Sequence, residues 1–74
     1  MSTLSKLMRR TVYVFADTTI NDWSDVTEIV IEVRPDDRIK ALIHEALDKR
    51  KVPVRGGNDE IQFYIDSFLT GANL

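Results

Sequence analysis

The 74 residues allow one small domain, and a hydrophobic content of 43% places the chain among folding sequences rather than disordered ones. Lys and Arg number 10 against 12 Asp and Glu, and a net charge of -2 argues against a dedicated binder of nucleic acid or anionic membrane. The chain has no cysteine, which excludes a disulfide scaffold. With no apolar run near ~18 residues and no apolar signal-peptide core in residues 1–10, a cytoplasmic protein without a membrane span is expected.

Residues 1–10 (MSTLSKLMRR) read as a flexible N-terminal arm, and 11–74 as a single domain. Leu4, Leu7 and Met8 fall at helical spacing, but ten residues make a marginal helix alone. Residues 11–16 (TVYVFA) form the first predicted strand, β-branched and aromatic on both faces. Residues 17–27 (DTTINDWSDVT) favour turns, because Asp, Asn, Ser and Thr bond their own backbone. At eleven residues this connection is long for a hairpin. Trp23 within it either folds over the core edge or serves as a binding anchor.

The second predicted strand is the alternating run 28–34, with Ile29, Ile31 and Val33 on one face, and Pro35 stops it. The helix that follows carries Ile39, Leu42, Ile43, Ala46 and Leu47 at i, i+3, i+4, i+7 and i+8, one apolar stripe. Asp36 and Asp37 suit its start, Lys49, Arg50 and Lys51 its end, and Pro53 closes it. Residues 54–59 (VRGGND) read as a turn, 60–65 (EIQFYI) as the third strand with Ile61, Phe63 and Ile65 inward, and 66–67 as a turn or bulge. A very short last strand is expected to start at 68–69.

Strand–strand–helix–strand order implies an α+β domain with one helix on one sheet face. The expected packing sets the first strand in the middle, the second antiparallel to it and the third parallel on its other side. In residues 32–53, Glu32-Val-Arg-Pro35, the acidic cap, Ile39 and the late Val52-Pro53 resemble the matching region of ubiquitin-like β-grasp domains. Over 11–71 the order of elements is similar as well. The chain ends Gly71-Ala-Asn-Leu74 without a terminal Gly-Gly, so the resemblance implies a shortened, non-conjugating member with a ββαβ sheet of three to four strands.

No enzyme chemistry stands out. His44, the only histidine, lies outside the apolar stripe and reads as solvated. The pairs Asp36-Asp37 and Asp59-Glu60 read as a cap and a turn, not as a calcium loop. Neither a metal nor a cofactor is expected. The expected function is a protein-interaction module, an adaptor, subunit or inhibitor, binding a protein partner through the exposed sheet face or an edge strand. Its expected contact residues are Tyr13, Phe15, Trp23, Val30 and Tyr64, with self-association as a homodimer the variant. The alternative is a small nucleic-acid-associated regulator using the basic surface of Arg34, Arg38, Lys40, Lys49, Arg50, Lys51 and Arg55.

Overall fold

The computed structural model of the protein describes residues 9–72; the expected arm lies outside the described residues as far as position 8. The elements are β1 (Arg10–Val14), β2 (Val26–Ile31), α1 (Asp37–Glu45), β3 (Val54–Gly56) and α2 (Asp59–Ala72). The domain is α+β: one three-stranded parallel sheet of order β1-β2-β3 and two helices.

Strand β2, not β1, is therefore central, and β1 runs parallel to it rather than antiparallel. The burial of β2 explains its place. Ile29, Val30 and Ile31 are 0%, 2% and 0% exposed, a continuous buried run of the kind interior parallel strands show. The eleven-residue connection has the same cause, because a parallel return must travel the length of the sheet and cannot be a tight hairpin. Ile20 and Trp23 of that connection pack against the core, so Trp23 does fold over the core edge. From α1, Arg38 ties the connection down by donating to the carbonyls of Ala16 and of Thr18, the latter at 2.8 Å.

Register neighbours in a sheet share a face. Val12, Ile29 and Val54 lie abreast on one side, as do Val14, Ile31 and Gly56. This inner face meets Ile39, Ile43 and Ala46, Val52, and Ile61 and Ile65 in one core. Both helices thus pack on the same side, and the sheet's other face has no helix over it among the described residues. Fully burying each of these isoleucines contributes about 1.5–3 kcal/mol.

The predicted first helix holds. Asp36 accepts the Ile39 N–H at 2.9 Å as its cap, Ile39 and Ile43 are buried, and Leu42 and Leu47 are half-buried against the core. It ends in a π-helical turn, Ala46–Arg50, closed by Lys51 in the left-handed region at φ 58° and by the Val52 N–H to the Ala46 carbonyl at 2.9 Å. A Cβ at that conformation costs roughly 1–2 kcal/mol. Lys51→Gly should therefore raise stability by about 1 kcal/mol, seen as a higher urea midpoint.

The last third of the chain differs from the expectation. Residues 54–56, read as part of a turn, are strand β3, and the expected third strand at 60–65 lies inside α2. The expected turn at 66–67 and last strand at 68–69 belong to the same helix. Ile61, Ile65, Phe68 and Leu69 fall at i, i+4, i+7 and i+8 and all pack inward, whereas Phe63 is 65% exposed. The alternation Ile61-Phe63-Ile65 imitated a strand within a helical stripe. Asn58 sets the helix start by accepting the Ile61 N–H at 2.9 Å.

Candidate functional site

Tyr13, Val30 and Arg55 stand abreast on the helix-free face, with Thr11 and Glu28 abreast beside them. The expectation of an open apolar face here is corrected. Val30 is only 2% exposed, a short side chain on the central strand between the longer Tyr13 and Arg55. Arg55 Nε donates to Glu28 Oε2 at 2.7 Å, and Thr11 Oγ1 donates to Glu28 Oε1 at 3.3 Å, so this face is polar around a covered valine. Tyr64 belongs to α2 rather than the sheet, and its ring lies under the Arg34 guanidinium at 4.4 Å.

The hydrogen bond and charge of Arg55 hold the Glu28 carboxyl below its ordinary range, and Glu28 in turn raises Arg55. A carboxyl lowered by folding stabilises the fold above its unfolded value, and that contribution is lost as pH falls through the folded value. Both partners are partly exposed, so the effect is modest. Glu28→Gln should have a lower urea midpoint than the parent at neutral pH, and the gap should close in acid.

The two sheet edges differ. Along β1, Arg10 donates its N–H to Asp25 and Val14 accepts from Glu32, so the even-numbered residues bond to β2. Thr11 and Tyr13 therefore turn their N–H and C=O groups outward. Among the described residues, no strand pairs with that side. Along β3 the outward Gly56 N–H is taken by Gln62 Oε1 of α2 at 2.8 Å, so α2 covers that end of the edge. Beside the open edge Tyr13 and Phe15 are each 52% exposed. Trp23 is half-buried against the core and presents only part of its ring.

The expected basic surface is divided among separate tasks. Arg38 holds the long connection, Arg55 pairs with Glu28, Arg34 covers Tyr64, and Lys40 lies 5.3 Å from the Phe68 ring centre. Lys49 and Lys51 are exposed, and the Arg50 side chain lies outside the described residues. His44 is exposed and meets Phe68 edge-on at 5.0 Å. Among the described residues, no group of three His, Cys, Asp or Glu could hold a metal ion, and no helix is long and apolar enough to cross a membrane. Sequence reasoning missed Gln62 and Phe63. Asn58 followed by two acids was the available signal for a helix start there.

Comparison with protein-family models, with curated proteins and with solved structures gave no match for this chain.

Proposed function

We propose that this chain is a non-enzymatic protein-interaction module that takes an extended segment of a partner protein along the open edge of β1. One observation carries the reading: Thr11 and Tyr13 present backbone groups that pair with no other strand among the described residues, beside two half-exposed aromatic rings, while at the opposite edge Gln62 takes the Gly56 N–H. Proteins usually protect such edges, because an unpaired strand recruits another. An added strand would gain main-chain bonds at Thr11 and Tyr13, and its alternate side chains would meet Tyr13 and Phe15. The helix-free face supports the reading less, since Val30 is covered and its neighbours are polar. The scattered basic residues give little support to nucleic-acid binding.

The test is capture from native extract by the tagged protein and by a Tyr13→Lys, Phe15→Lys variant. The aliphatic stem of a lysine at position 13 still covers Val30, while two charges guard the edge. A stoichiometric protein partner lost in the variant supports the reading. The same partner held equally by both proteins would sink it. Recovery of a second copy alone, with a concentration-dependent mass in sedimentation, would replace the partner by self-association through the same edge.

A further inference from the structure

The segment after β2, the first turns of α1 and the middle of α2 line a cleft of about 340 Å³. Its lining is Arg34, Pro35, Lys40, Tyr64, Ser67 and Phe68, two cations and two hydroxyls with no carboxylate. Neither cation forms an ion pair among the described residues. Each is held over an aromatic ring instead, Arg34 at 4.4 Å from the centre of Tyr64 and Lys40 at 5.3 Å from that of Phe68. The neighbouring carboxylate of Asp36 is engaged in capping α1.

Two like charges on one small cleft repel each other, and a ring face compensates a cation far less than a carboxylate does. The rings fix where the cations sit and leave their donors available. In a chain with net charge -2, such a pair without counter-charge is a built attraction for an anion.

We propose that this cleft binds a phosphate monoester dianion. The Arg34 guanidinium offers a planar fork for two phosphate oxygens, Lys40 supplies a second positive charge, and the Ser67 hydroxyl can donate to a third oxygen. The volume lies at the lower end of small-ligand sites, and it exceeds what a phosphate alone fills. The walls of Tyr64, Phe68 and Pro35 suit an apolar or aromatic group on the ester. This site shares no residue with the β1 edge and stands whether or not that edge binds a partner.

Phenyl phosphate is the probe, titrated into the ¹⁵N-labelled full chain and followed by amide and arginine side-chain resonances. Saturable shifts at Arg34, Lys40 and Ser67 with a Kd tighter than about 1 mM are expected, with inorganic phosphate weaker. Arg34→Gln and Lys40→Gln should each weaken binding by tenfold or more while keeping a dispersed spectrum, since both side chains lie on the surface of the fold. A phosphotyrosine peptide bound at least tenfold tighter than phenyl phosphate would identify the source as a phosphorylated protein; equal binding would identify a free small molecule. Absence of saturable shifts, shifts located elsewhere, or undiminished binding in both variants would overturn the assignment.

Discussion

Gly56→Ala should remove a large share of the protein's stability, the largest effect expected of any single methyl in the chain. A Cβ at position 56 would stand 2.5 Å from the backbone nitrogen of Gln62, 2.8 Å from its Cα and 2.9 Å from the Ile61 carbonyl carbon. These are main-chain atoms of the first turn of α2 and cannot swing aside, so the helix must leave the strand. The Gly56 N–H bond to Gln62 Oε1 would go with it. Overpacking of this kind costs about 1–3 kcal/mol or more, against a total of roughly 3–5 kcal/mol for a core this small. The other two glycines are the controls. At Gly57 the new Cβ meets the end of the Glu32 side chain at 2.5 Å, which rotates away at small cost. At Gly71 nothing lies within 4 Å, and alanine in α2 should gain up to about 1 kcal/mol. Urea titrations followed by circular dichroism would order the midpoints as Gly71→Ala, Gly57→Ala, Gly56→Ala from high to low.

The second large effect separates a helix from a strand at 59–72. Ile65 is 0% exposed and Phe63 is 65% exposed. Ile65→Ala should cost about 2–5 kcal/mol, enough to unfold much of the population, because it leaves a cavity between α2 and the sheet. Phe63→Ala should change stability by no more than about 0.5 kcal/mol. Were these residues in a strand with both side chains inward, the two substitutions would cost alike. The same urea titration reads the difference.

Residues 60–65 are helical although their sequence reads as a strand. The first helix is legible because its apolar stripe, its Asp36 cap and its basic end agree. The second strand is legible because Ile29 and Ile31 are separated by one residue and bounded by Pro35. The last third misleads because a helical stripe of Ile61, Ile65, Phe68 and Leu69 contains an accidental alternation with Phe63. A three-residue strand such as Val54–Gly56 carries no period to detect. Strand direction is also out of reach. The eleven-residue connection hints at a parallel return, but what fixes it is tertiary, namely Ile20 and Trp23 docked on the core and Arg38 gripping the loop carbonyls.

The candidate site is half visible in the sequence. Tyr13 and Phe15 stand out there and are exposed beside the open edge, yet Val30 reads as part of an open face and is covered. Exposure at Val30 depends on the lengths of neighbouring side chains, Tyr13 and Arg55, which come together only through the register. Arg34 and Tyr64 read as parts of separate surfaces, and the fold stacks one on the other at 4.4 Å.

The open edge of β1 is the premise of the proposed function, and amide hydrogen exchange of the isolated protein tests it most directly. The Val12 and Val14 amides, which face β2, should exchange slowly, and the Thr11 and Tyr13 amides should exchange quickly. On the other side of the sheet the Gly56 amide, held by Gln62, should be protected as well. Fast–slow alternation along β1 with a protected Gly56 is the expected result. Protection of Tyr13 equal to that of Val12 and Val14 in the monomer would mean that the edge is already occupied, and would contradict the account.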